Sequence, residues 1–100
     1  MSVALWIKHD RRLALLRYLV EANGKSSARA LEWAMKAGGD TTGMNSLVVQ
    51  AELKFLETKF LVELEYPRED VMIAAITKRG VACAEGSLKI EGVAQPDLGR

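Results

Sequence analysis

Asn45 to Thr77 reads NSLVVQAELKFLETKF, then LVELEY, then PRED, then VMIAAIT. In the first part, Val49, Leu53, Leu56 and Phe60 fall on one stripe of a helix. Met44, Val48, Ala51 and Phe55 fall on a second, about a third of a turn away. The two runs that follow are short, partly alternating and rich in Val, Ile and Leu. They flank a Pro-containing tetrapeptide, the pattern of an antiparallel hairpin with a longer loop. A helix that feeds a hairpin is therefore the centre of the fold.

Upstream, Asp10 to Ala22 (DRRLALLRYLVEA) places Leu13, Leu16 and Val20 on one face, widened by Leu15 and Leu19, and Asn23-Gly24 stops the helix. Asp10 is read either as its cap or as a first-turn carboxylate that complements the dipole. Val3 to Ile7 is read as an apolar arm or an extra turn. Ser26-Ser27 offer caps for a second helix, ARALEWAMKA, which turns Leu31, Ala34 and Met35 inward and ends at Gly38-Gly39. Residues 40–43 (DTTG) form a polar turn before the third helix. Downstream, Thr77 caps a last turn or two (KRGVACAEG), weakened by Gly80. From Ser87 onward apolar spacing is lost, so 87–100 is expected to be a loose tail unless a partner docks it.

Helix, helix, helix, strand, wing, strand is the winged helix-turn-helix order, an α+β fold with a two-stranded antiparallel wing and a short C-terminal helix. The expected division is a domain over 1–86, including the N-terminal apolar arm, and the tail 87–100. Particular motifs carry a resemblance as well: DRRLALLRYL, LKFLETKFLV, ITKRGVACAEG, and Gly92-Val93 with Pro96 in a GV-x-x-P tail. On these the chain resembles the small winged-helix, ArsR-like proteins of Mu-like transposable phages and prophages. That resemblance implies a phage or prophage DNA-binding protein of the transcriptional-regulator type. The family pattern has Gly after the third helix where this chain has Phe60. Without that glycine a left-handed cap is not expected, and the helix should run straight into the strand.

With 100 residues, 49% hydrophobic and 27% charged, the chain fits one globular domain burying roughly two-thirds of its surface. The formal net charge of +1 lacks the basic surplus that signals nucleic acid. One cysteine (Cys83) and one histidine (His9) leave neither an intramolecular disulfide nor a zinc-ligand set. No apolar run approaches the ~20 residues that cross a bilayer. The start, MSVALWIKHDRR, has no basic segment ahead of its apolar part and does not read as a secretory signal, so a cytoplasmic location is expected. No phosphate loop, carboxylate pair or metal spacing is seen, and neither catalysis nor a cofactor is expected.

The candidate interface has a weak reader and a scattered basic rim. On the third helix the polar face offers Ser46, Gln50 and Lys54, with Asn45 at its start, and only the Asn, Gln and Lys side chains suit base readout. Arg29 lies in the first turn of helix 2, beside backbone N–H groups that can hold a phosphate. Arg68 is on the wing, followed by Lys78-Arg79, while Lys8, Arg11 and Arg12 cluster on helix 1. Residues 1–40 carry seven Lys or Arg against four acids, and residues 41–66 two against four. Such a set reads either as a phosphate-contacting rim of low specificity or as ordinary solvated surface. His9 beside Asp10 reads as surface and Cys83 as a buried hydrophobe. Phe55 and its stripe are either core or a patch for another protein. Trp6 and Ile7 precede helix 1 and need cover, which favours a symmetric dimer through the N-terminal segment, beside the fourth helix and tail. The alternative function is a protein–protein module on the same scaffold, serving a phage partner in virion assembly or DNA packaging.

Overall fold

Ser2 starts the first helix well before the apolar spacing does. Its hydroxyl accepts the N–H of Leu5 at 3.3 Å, and in this computed structural model, which describes residues 2–96, α1 runs Val3–Glu21. The expected apolar arm is thus two further helical turns, and Asp10 lies mid-helix with no cap to make. Leu13, Leu15, Leu16 and Leu19 are buried, whereas Val20 is exposed. The core face is centred nearer Leu15–Leu19 than expected, because α1 packs against α2, α3 and α4 together.

Asn23 and Gly24 both take left-handed backbone and turn the chain into β1 (Lys25–Ser27). Three polar residues show no alternation, so this strand leaves no sequence signal. It exists because β3 (Val71–Ile76) has a free edge. Lys25 to Ser27 pair antiparallel with Ala75 to Ile73, and the sheet order is β1-β3-β2 with β2 at Val62–Arg68. The sheet has three strands where two were expected. The order of four helices and an antiparallel sheet is otherwise compatible with the expected architecture. Ser27 caps α2 (Ala28–Ala37), Asn45 caps α3 (Ser46–Thr58) and Thr77 caps α4 (Lys78–Glu85), each side chain accepting an N–H three residues on.

The end of α3 departs from expectation. Phe60 adopts a φ of 61°, Leu61 N–H bonds to Leu56 C=O at 3.0 Å, and Phe60 N–H bonds to Glu57 C=O at 3.0 Å. This pair of bonds is a Schellman cap with phenylalanine in the place usually held by glycine. The tertiary structure enforces it: α4 begins immediately behind and uses the carbonyls that the cap exposes. Thr77 donates its hydroxyl to Phe60 C=O and its N–H to Leu61 C=O, and Arg79 Nε donates to Lys59 C=O. Gly80 permits the contact, since a Cβ there would collide with the Leu61 carbonyl oxygen. Its low helix propensity is the cost of that approach. The left-handed turn also swings Phe60 out of the buried stripe, leaving it 74% exposed.

Beyond α4, residues 87–96 pack against the domain rather than hanging loose. Ile90, Val93 and Pro96 are buried, and Ala94 N–H bonds to the backbone of His9 on α1. What was read as lost spacing is an irregular segment whose apolar groups have no helical or strand period. The rest of the expected tail, residues 97–100, lies outside the described residues.

Arg12 organises this docking. Its Nε donates to Glu52 of α3 at 2.8 Å, and Nη1 donates to Gly92 C=O at 2.9 Å. Its guanidinium carbon stands 3.6 Å from the ring centroid of Phe55. Gly92 has a φ of 95°, and a Cβ there would sit 2.6 Å from the Phe55 ring.

Two outcomes follow for chemical denaturation. Phe60→Gly removes the left-handed penalty and is expected to stabilise the fold by about 1 kcal/mol. Leu53, fully buried on α3, should cost ~2–5 kcal/mol when cut to alanine.

Candidate functional site

Three elements converge beside the first turns of α3. Arg29 comes from the first turn of α2, Ser46 and Gln50 from α3, and Asp70 to Met72 from the hairpin. With Glu32 they line a groove of about 440 Å³. A second, smaller groove of about 210 Å³ continues along α3, between Gln50 and Lys54 on one side and Tyr66, Glu69 and Asp70 on the other. The bulge between Glu65 and Arg68, where Pro67 lies in the edge strand β2, shapes the end of the hairpin. Of the residues expected at a DNA surface, the fold therefore brings together Arg29, Ser46, Gln50 and Lys54. Asn45 adjoins them, but its side-chain oxygen is spent on the N–H of Val48. Arg68 is exposed at the hairpin end, opposite Val71.

Lys78 and Arg79 do not join this group. Arg79 caps the carbonyl of Lys59 at the far end of α3, about 20 Å from Ser46 at the rise of a helix. The basic cluster on α1 also dissolves. Arg11 donates to both carboxylate oxygens of Asp40, at 2.7 and 2.9 Å, and to Thr42 C=O. The hydrogen bond to Asp40 raises its pKa against the opposing effect of burial, so the guanidinium is held charged and occupied. Arg12 is spent on Glu52 and Gly92. Two of the expected rim cations are thus internal ties.

The grooves carry mixed charge. Arg29 and Lys54 face Glu32, Glu69 and Asp70, and Glu32 is already paired with Lys36 at 2.8 Å. The second stripe of α3 is no open patch. Met44 is buried, and Phe55 is half-buried beneath Arg12 and Gly92, so the expected interface role of Phe55 gives way to an internal one. Trp6 and Ile7 are exposed, and so are Trp33 and Leu47. Sequence reading missed the Arg12–Glu52 pair. The available signal was an acidic residue set between Val49 and Leu53 on the most apolar helix.

Cys83 is buried, and desolvation pushes its thiol pKa up while Arg79 draws it down. Among the described residues no cluster of His, Cys, Asp or Glu could hold a metal ion, and no helix is long and apolar enough to cross a membrane.

The chain is 30% identical over 90 residues to the uncharacterized protein gp26 of Escherichia phage Mu, an alignment spanning 90% of this chain and 91% of that one. It belongs to the Mu gp26 family. No family model and no solved structure matches the chain. The Mu gp26 relationship agrees with the Mu-like lineage implied by the sequence motifs. The match to Mu gp26 extends over both the α3–hairpin region and most of α1.

Removing one partner of the Arg12–Glu52 pair leaves a charge with 12% or 8% side-chain exposure unpaired. Glu52→Ala or Arg12→Ala is expected to cost ~3–5 kcal/mol in urea denaturation, whereas Arg29→Ala should change stability little. Cys83 should react with a disulfide reagent only as fast as the fold opens, giving a single slow phase that denaturant abolishes.

Proposed function

We propose that this Mu-like phage protein is a winged-helix DNA-binding protein of the regulator type, attached chiefly through the phosphate backbone. The order α1-β1-α2-α3-β2-β3, with the hairpin beside α3, supports the winged-helix reading. One observation carries the functional one: the N-terminal turns of α2 and α3 and the end of the hairpin converge on a single groove that holds Arg29, Ser46 and Gln50. In a duplex complex the first turns of α3 would enter the major groove. Gln50 is then the one side chain with a bidentate match to a base edge, and Ser46 adds a single adaptable hydrogen bond. Arg29, Lys54 and Arg68 would hold phosphates on either side, the first aided by the positive end of the α2 dipole. Glu69 and Asp70 oppose close approach of a duplex, so the binding is of modest affinity and low specificity.

A protein-docking module, serving phage assembly or DNA packaging, is the second reading. The carboxylates of Glu69 and Asp70 in the groove favour it, as do the exposed Trp33 and Leu47 on α2 and α3.

Fluorescence anisotropy with a random-sequence duplex separates the two. Three phosphate contacts imply that affinity falls about fortyfold between 50 and 200 mM salt. Arg29→Glu with Arg68→Glu should abolish binding, and Gln50→Ala should leave it nearly unchanged. A complex that survives high salt and depends on Gln50 would make α3 a sequence reader instead. Absence of binding at low salt overturns the DNA reading in favour of the protein partner.

A further inference from the structure

The outer face of α1 is open to solvent. Val3, Asp10 and Arg17 are spaced seven residues apart, as are Ile7, Ala14 and Glu21, so both series lie on one stripe opposite Leu15, Leu16 and Leu19, and all are exposed except Ala14, which is partly buried against the core. The stripe is apolar at its start and charged further along. Val3 and Trp6 are 76% and 59% exposed, and every residue from Ser2 to Lys8 is exposed, so the first two turns stand clear of the domain. Asp10 and Arg17 are exposed and take part in no ion pair among the described residues. Between them, small Ala14 lies in shallow grooves of about 300 and 320 Å³ along the two sides of the helix.

From this pattern we infer that the partner of the α1 face is a second copy of the same chain, with the two helices antiparallel about a two-fold axis beside Ala14. Charge decides the occupant and the direction. Antiparallel pairing brings Asp10 of each copy opposite Arg17 of the other, making two equivalent ion pairs from one self-complementary patch. Parallel pairing would set Asp10 against Asp10 and Arg17 against Arg17. The same register sets the exposed Ile7 and Trp6 of one copy level with Val20 and Glu21 on the last turn of the other α1, with exposed Val20 at the margin of the stripe. Ala14 at the centre lets the two backbones approach closely. The contact uses neither the α3 groove nor the hairpin and is independent of DNA binding.

Sedimentation and cross-linking of the full chain test this. The unmodified protein should sediment as a dimer at micromolar concentration. Asp10→Arg and Arg17→Asp each place four like charges at the seam and should raise the dimer dissociation constant about tenfold or more. The combined swap, D10R with R17D, should restore the original value, while the circular dichroism of all three stays unchanged because both side chains face solvent. On mild oxidation Ala14→Cys should form a disulfide-linked dimer, and Glu21→Cys, about 20 Å from its counterpart in this register, should not. A monomer at high micromolar concentration overturns the proposal. So does a dimer indifferent to the single reversals, a swap no tighter than they are, or cross-linking through position 21 in preference to 14.

Discussion

Arg12 must satisfy a desolvated guanidinium, and much of the architecture follows from how it does so. A buried charge of this kind is tolerable only when its donors are met and its counter-charge is close. Glu52 supplies the charge, Gly92 a carbonyl and Phe55 a ring face, and these come from α3 and from the segment after α4. One side chain on α1 thereby fixes the rotation of α3 and seats residues 87–96. The ordering of that segment is a consequence of polar satisfaction as much as of burying Ile90 and Val93. Arginine suits the position because its planar fork can donate in two directions while its face lies on the ring.

The other junction is electrostatic in a milder sense. The carbonyls left free at the turn around Phe60 accept hydrogen bonds from Thr77 and Arg79 at the start of α4, so the helix that ends and the helix that begins complete one another. The strain of a β-carbon at positive φ persists because several tertiary hydrogen bonds hold it. Nearby, the Glu57 carboxylate accepts the N–H of Leu64 at 3.2 Å, occupying a donor on the outer side of β2. Together with Pro67 it keeps that edge from offering a full ladder to another chain.

Periodic features were legible in the sequence, and features set by a partner were not. Leu13, Leu16, Val49, Leu53 and Leu56 declare themselves by spacing, and all are buried as read. The caps at Ser27 and Thr77 were legible because a short polar side chain before a helix has few other uses, whereas Asn45 was read as a base contact and proves to cap α3. β1 was invisible, since Lys25-Ser26-Ser27 is a strand only by virtue of the β3 edge. The cap at Phe60 was misread because local propensity argues against it, and the tertiary bonds that override propensity have no local signature. Of the candidate site, the residues sharing one groove were recognisable by type. Which arginines remain free was a matter of distant partners: Asp40 and Glu52 lie 29 and 40 residues from the arginines they hold.

The bond from Arg12 to Gly92 spans 80 residues. On a ribosome adding ~5–20 residues per second, Arg12 emerges several seconds before the carbonyl that completes its coordination has been made. During that interval α1 and α3 can meet through Glu52 and their leucines, yet the ring of Phe55 is open on the side that Gly92 later covers. The nascent chain thus passes through a stage in which its helices are present and its last apolar groove is vacant. That vacant groove is apolar surface open to chaperones until the last residues arrive.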